Sequence, residues 1–352
     1  MEGVSSISPT VSVIITTYNL ENYIQRSLES VINQTFKDLE IIVVDDGSSD
    51  TTVKKVSEIL ISNNVSYNII VQKNSGVSVA RNNGLKIAKG KYIKFLDGDD
   101  VLEKNCIQNL VKTMEKNEEY DLTYGKQHVV TTNGNFLIKY EEMYPQPWSE
   151  ANSLTAIKDF LTGLVHISVN SALFKRETIL RNNLLFTKGA TYGEDNEFIA
   201  KYIFFSRKVA FSEKASVMAT YRKDSSTKQP SLRAFHNVGC MKRLKKFFFE
   251  KSTNCEDLKD LIRIFDLQVI PSAYAWTIGN LAFNGFNYTR WIKIIRHKEI
   301  RKQISNFKIL STKTKYYKQL NFGRYLFLVS PSLFYLTMRV IKFVYDMKTK
   351  RM

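Results

Sequence analysis

Cysteine is scarce in this 352-residue sequence: Cys106, Cys240 and Cys255 form an odd, widely spaced set with no CxxC pair. That excludes a disulfide framework and a thiolate zinc site, and points to a reducing, cytosolic compartment. Six prolines and 15 glycines beside 43% hydrophobic residues exclude collagen-like and low-complexity chains. Long apolar runs are missing as well. Met1–Pro9 lacks the basic start of a signal peptide, and the apolar run Val11–Ile15 is too short for its core. Tyr325–Met338 carries no charge but is 14 residues long and contains Pro331. As a helix it would reach roughly 21 Å against a hydrocarbon core of roughly 30 Å, so a surface-lying segment is expected rather than a membrane span. His128, His166, His236 and His297 are scattered without ligand spacing, and GxSxG, HExxH and Walker A patterns are absent. Serine hydrolase, zinc protease and P-loop NTPase chemistry thereby lose support.

What is present in excess is positive charge, and it is unevenly placed. The formal net charge is +17. Phe286–Met352 holds 16 Lys and Arg against Glu299 and Asp346, a net of +14, which leaves the first 285 residues nearly balanced at 35 basic against 32 acidic. The basicity belongs to a C-terminal module. A helix over 332–347 groups Arg339, Lys342 and Asp346 with Tyr335 on a narrow polar side, and Leu333, Phe334, Leu336, Val340, Ile341, Phe343 and Val344 fill the rest. A helix of this kind suits the plane of an anionic membrane surface; packing on the protein's own core is the alternative.

The first hundred residues alternate two periodicities. Val11–Ile15, Glu40–Val44, Tyr67–Val71 and Tyr92–Leu96 are short β-branched or aromatic runs, and the segments between them repeat apolar residues at helical spacing. The expected fold class is α/β, a mostly parallel sheet with helices on both faces. A helix is expected over 102–118, a hairpin around Asn133-Gly134-Asn135, and helices alone after Leu232, with Pro271 ending one of them. The predicted organisation is a domain over 1–230, split into a nucleotide half (1–120) and an acceptor half (121–230), followed by a helical basic region over 231–352.

Ligands of open α/β sheets sit outside the carboxyl ends of the strands, so those ends carry the candidate chemistry. The first strand ends in Thr16-Thr17-Tyr18-Asn19, where Tyr18 stacks on a base or merely lines the rim. The second ends in Asp45-Asp46, of which at least one carboxylate should face the crevice and accept from a base N–H or a ribose hydroxyl. Asn74-Ser75-Gly76 follows the third, with Arg81 a turn into the next helix, either solvated or reaching a carboxylate or phosphate. Asp97-Gly98-Asp99-Asp100 closes the fourth. Three carboxylates in four residues repel one another, and a divalent Mn²⁺ or Mg²⁺ with oxygen ligands answers that repulsion; an acidic turn is the plainer reading. Glu194 and Asp195 either favour a helix N-terminus or supply a general base.

Taken in order, Val11–Asn19, Val43–Asp50, Asn74–Gly84, Phe95–Asp100 and Gly193–Asp195 resemble the family 2 glycosyltransferases, which have a GT-A fold and invert configuration at the anomeric carbon. The resemblance implies that Thr16, Tyr18 and Asp46 hold the uracil and ribose of a UDP-sugar, with Asn74 and Arg81 completing the pocket. It implies that Asp97 and Asp99 are the DxD motif, Asp99 the direct ligand of Mn²⁺ or Mg²⁺. Asp195 matches the catalytic base and Glu194 its neighbour. Arg222, with Tyr221, Lys223, Ser225, Ser226 and Thr227, resembles a late segment that closes over the diphosphate. Thr16 stands where many members have proline. Resemblance and tail together point to a bacterial surface-polysaccharide enzyme on the cytoplasmic face of the membrane, acting on a glycan or lipid-linked glycan acceptor. Self-association through the tail stays open. The competing readings are a sugar nucleotidyltransferase, which needs a Gly-rich basic first loop not found here, and a nucleotide- or nucleic-acid-binding protein using the tail without transferase activity. Specific nucleic-acid recognition is not expected, since the strand-end carboxylates would repel phosphate.

Overall fold

The four β-branched runs fold as parallel strands: three are buried on both faces, and the run over Ser66–Val71, at the sheet edge, stays largely open. In the computed structural model, which describes residues 8–351 apart from 64, 145, 147, 223–224, 226–228, 252–255, 309 and 311–314, these are β1 (Val11–Thr17), β2 (Leu39–Asp45), β3 (Ser66–Val71) and β4 (Tyr92–Asp97). Between them run α1 (Ile24–Ile32), α2 (Thr52–Ser62) and α3 (Val77–Ile87). Ile14, Ile42, Val44 and Phe95 enter the core on one face of the sheet, and Val13, Ile15, Ile41 and Val43 enter a second core on the other. The order is β3-β2-β1-β4. Register sets Thr17 beside Asp45 and Thr16 beside Asp97, so the polar strand ends form one row.

The next part of the chain widens this sheet. It comprises β5 (Val101–Leu102), α4 (Cys106–Met114), β6 (Tyr120–Val130), β7 (Phe136–Ile138), α5 (Tyr140–Met143), β8 (Glu150–Asn152) and α6 (Ser153–Leu161). After these come β9 (Ala172–Lys175), α7 (Arg176–Arg181), α8 (Glu194–Phe205) and β10 (Lys208–Thr220). β9 lies antiparallel between β4 and β6, and β10 runs parallel to β6. The predicted hairpin joins β6 to β7 with Gly134 at φ 85°. The helix expected over 102–118 is shorter, because Val101 and Leu102 pair with β10 instead.

After Thr220 the described residues are helical: α9 (His236–Lys251), α10 (Glu256–Ile264), α11 (Ile270–Phe283), α12 (Tyr288–Ile295), α13 (Lys298–Asn306), α14 (Lys315–Val329) and α15 (Pro331–Arg351). Pro271 does not end a helix. A π-helical segment, Phe265–Val269, precedes it and the helical run continues through the proline into α11, the π turn breaking the regular hydrogen-bond ladder just before it. α9 packs on α8, and α15 on α11. Phe248, Phe265 and Trp291 thereby join the same core as Ile14 and Phe95 of the sheet.

The orientation of α15 differs from a simple amphipathic helix with its polar side to water. Its narrow polar side faces the body: the Tyr335 hydroxyl donates to the Phe286 carbonyl at 2.5 Å, Arg339 donates to the Phe283 carbonyl at 3.0 Å, and Lys342 lies over the Phe283 ring. The Phe283 carbonyl belongs to the C-terminus of α11, whose negative dipole end attracts cations, and Phe286 lies in the loop that follows. Leu333, Leu336, Val340 and Phe343 are left 50–64% exposed.

Candidate active site

Arg81 organises the row of strand ends. It projects from the second turn of α3, whose first turn begins at Gly76 with φ 92°, a conformation that favours glycine. The guanidinium is 2% exposed. It donates to Asp97 at 2.8 Å and to Asp195, lies 4.0 Å from Glu194, and rests on the Phe186 ring. Asp97 also accepts from the Asn170 side-chain amide at 2.9 Å and, more weakly, from the Thr16 hydroxyl. Burial pushes the Asp97 pKa up, but Arg81, Asn170 and Thr16 outweigh it, and the carboxyl sits below its ordinary range.

Asp99 has a different partner, Arg222, whose Nε donates at 2.7 Å while the guanidinium lies over Tyr23. Burial and the neighbouring Asp97 charge hold the Asp99 pKa above its usual value. Asp100 turns away from the crevice: it accepts the Thr220 N–H at 2.9 Å and the Asn170 amide at 2.7 Å, tying β10 to the end of β4. Beneath them Lys94, 0% exposed, donates to the Asn170 and Phe95 carbonyls, and burial lowers its pKa to about 8. The acidic cluster is therefore answered by Arg81, Arg222 and Lys94 from the protein itself, more than the sequence suggested. Among the described residues, no three His, Cys, Asp or Glu side chains converge as a metal cage. A hard cation here needs oxygens from a bound substrate, the usual habit of Mg²⁺ and Mn²⁺ at diphosphates.

The nucleotide-side candidates lie at the ends of β1 and β2 and in the loop after β3, and both carboxylates at the end of β2 are engaged by the protein itself. Asp46 accepts from Gln72, from the Ser75 N–H at 2.7 Å and from the Gly76 N–H at 2.8 Å, so it shapes the loop that carries exposed Asn74. Asp45 instead closes its own turn by accepting the Gly47 and Ser48 N–H groups. Tyr18 is 48% exposed at the end of β1. Lys223, Ser226 and Thr227 of the late segment lie outside the described residues.

Glu194 and Asp195 begin α8 after Gly193, which is left-handed at φ 81° and closely approached by Asn237 of α9. Burial first, then the Asp195 charge, lifts the Glu194 pKa to about 8, and its Oε2 is a buried atom without a hydrogen-bond partner. Burial raises Asp195 as well, against the pull of Arg81. Both carboxyls face a groove of about 740 Å³ between the sheet domain and α11, with Tyr144, His166, Tyr192 and Trp276 among its walls. His166 stacks on Tyr144, and burial holds its pKa near 4, so it is neutral. Sequence reasoning missed Asn170, Lys94 and Trp276. Asn170 stands in a loop without a motif, and Lys94 has one informative trait, a charge inside an otherwise apolar strand.

The profile described as "Glycosyl transferase family 2" matches residues 12–181. Those residues, just under half of the chain, carry the match to that family. An uncharacterized glycosyltransferase of Haemophilus influenzae is 30% identical over 198 residues, which cover 54% of this chain and 59% of that protein. A chondroitin synthase of Pasteurella multocida is 36% identical over 129 residues, 37% of this chain and 13% of the synthase. Among solved structures, S. aureus TarS 1–349 in complex with UDP-GlcNAc superposes with a TM-score of 0.63 at 20% identity, over 96% of this chain and 92% of that one, a likeness of fold. The match spans little more than half the length of the Haemophilus relative.

Proposed function

We propose that this glycosyltransferase moves a sugar from a UDP-sugar to a hydroxyl of a glycan acceptor with inversion, Asp195 acting as general base. The observation that carries the reading is the Arg81 bridge, which holds Asp97 on the donor side and Asp195 on the groove side of one crevice. Asp195 accepts the proton of the acceptor hydroxyl as that oxygen attacks the anomeric carbon on the face opposite the departing UDP. Burial makes it a stronger base than a solvated carboxylate. Glu194, kept largely protonated at neutral pH, adds no second negative charge beside it. Thr16, Tyr18, Asp46, Asn74 and Arg81 form the nucleotide side. UDP is the nucleotide to test first, since a fold neighbour was crystallised with UDP-GlcNAc.

The residues present fit Mn²⁺ or Mg²⁺. Asp99 offers a buried carboxylate whose ion pair with Arg222 a hard cation would replace, while Asp97 lies behind it with its oxygens already engaged. Such a cation supplies charge neutralisation of the diphosphate. Arg222, released from Asp99, is placed to share that task.

The test is calorimetric titration of UDP, GDP and CDP, each with Mn²⁺ and with EDTA, into wild type and Asp99→Ala. Metal-dependent UDP binding that disappears in the variant supports the donor site; no metal-dependent nucleotide binding by the folded wild type overturns the reading. The organisation proposed with it is a transferase domain over 1–230 and a helical region over 231–352 that rests peripherally on the inner face of the cell membrane. Among the described residues no helix is long and apolar enough to cross a membrane. Support for the peripheral placement comes from the exposed apolar side of α15 within a segment of net charge +14. The chondroitin synthase relative supports a polysaccharide acceptor.

A further inference from the structure

The groove at Asp195 shares a wall with a second cavity. Trp276, Asn280 and Phe283 of α11 line the groove and also line a cleft of about 730 Å³ between α11, α14 and α15. The three residues fall at i, i+4 and i+7, one stripe along the helix. On one side of that stripe stand Glu194 and Asp195; on the other stand Ile278, Phe327, Phe334 and Met338. Arg324 is the one charged residue among the described lining of the cleft, and its guanidinium is held by the Ile304 and Ser305 carbonyls. The volume falls in the range of sites that bury small ligands.

The cleft is continuous with an exposed apolar surface. Phe322 and Ile341 line it and are themselves 67% and 48% exposed. Around them Tyr325 and Val329 of α14, with Leu336, Val340 and Phe343 of α15, also face solvent. Exposed apolar side chains gathered beside an open apolar cleft mark an interaction site. Its occupant is constrained by charge, because the face belongs to the segment carrying 16 Lys and Arg against two acids. A second copy of this chain docked there would bring two +14 segments together, whereas an anionic leaflet complements them.

We propose that the cleft between α11, α14 and α15 receives the hydrocarbon chain of a lipid-linked glycan acceptor, entering from the membrane surface, while its sugar head crosses the Trp276–Asn280–Phe283 stripe to reach Asp195. This rests on the glycosyltransferase reading above and adds the acceptor's chemical class and its site. The stripe acts as a ruler: the chain on one side fixes how far the head extends on the other. Trp276 belongs to both cavities and offers a flat apolar ring to the face of a sugar.

The experiment uses the full chain and geranylgeranyl phosphate as the probe, with binding read by calorimetry and tryptophan fluorescence. Inorganic phosphate and geranylgeraniol separate the contribution of the headgroup from that of the chain. Saturable binding of both prenyl compounds is expected, weakened tenfold or more by Ala275→Phe and by Thr337→Trp, two half-buried cleft positions where a larger side chain fills the space. UDP binding with Mn²⁺ is expected to be unchanged in both variants and serves as the folding control. Failure of UDP binding alongside intact lipid binding would sink the donor reading and leave the cleft standing. The inference is overturned by absent saturable prenyl binding in wild type, by binding that both plugs leave untouched, or by complete competition from inorganic phosphate. A dimer that excludes the probe and dissociates on Leu336→Asp would assign the face to a second copy and overturn it too.

Discussion

Arg81 and Asp195 are 114 residues apart in the chain and form an ion pair across the crevice, the guanidinium buried and the carboxylate open to the groove, with Asp97 on the other arm of the same guanidinium. One cation thus sets the distance between the end of the fourth strand and the start of α8. Its pKa is raised because Asp195, Asp97 and Glu194 together outweigh the burial that opposes charge. Breaking one partner of such a cluster is costly, since the charges left behind stay buried.

Replacing Asp195 with Asn keeps the size of the side chain and removes its basicity. Transfer is expected to fall by roughly 10² to 10⁴ in kcat, the usual worth of general-base catalysis, with UDP affinity retained. Single-turnover kinetics with saturating UDP-sugar measures this, and an unchanged kcat would take Asp195 out of that role.

Glu194 gives stability a pH dependence. Its ordinary value is 4.5 and its folded value about 8, so between those limits the folded protein binds more proton than the unfolded chain. Stability from this group is complete below about pH 4.5 and is lost as pH rises towards 8. Thermal unfolding of wild type and Glu194→Gln from pH 5 to 9 should show the variant losing less with rising pH. Parallel curves would contradict the assignment.

Asn170 donates from one amide to both Asp97 and Asp100 and accepts the Asp97 N–H. Asn170→Ala leaves the buried Asp100 and the partly exposed Asp97 short of a donor and is expected to cost about 1–3 kcal/mol. Urea denaturation checks the figure. A change below about 0.5 kcal/mol would mean that other donors take its place.

The apolar side of α15 makes a separate prediction. Changing Leu336, Val340 and Phe343 together to Asp touches exposed positions and should leave folding and UDP binding unaltered. Cosedimentation with phosphatidylglycerol vesicles is expected to drop sharply in this variant and, in wild type, to weaken with salt. Equal sedimentation of both proteins would remove α15 from the membrane contact.

Much of the donor side was legible in sequence because it is local. Each β-branched run ends in its polar residues within one or two positions, and parallel register then aligns those ends without further information. The Asp97–Asp100 cluster could be read as a site, yet not divided into roles: that Asp99 meets Arg222 while Asp100 pins β10 follows from contacts with residues more than a hundred positions away. Asn170 carried no signal for the same reason, its function being set by where β9 places it between β4 and β6.

The tail shows the division most plainly. Sequence by itself determined the four parallel strands, the helical C-terminal region, the excess of cations in it and the amphipathic pattern of α15, all of which depend on periodicity and composition. Tertiary structure decided which way that pattern faces. Arg339 and Tyr335 donate to carbonyls at and just after the end of α11, Phe334 packs into the core, and Leu333, Leu336, Val340 and Phe343 stay exposed. It also decided that α11 stands between Asp195 and an apolar cleft, because the packing of three helices against one another is set by non-local fit, which a single sequence does not display.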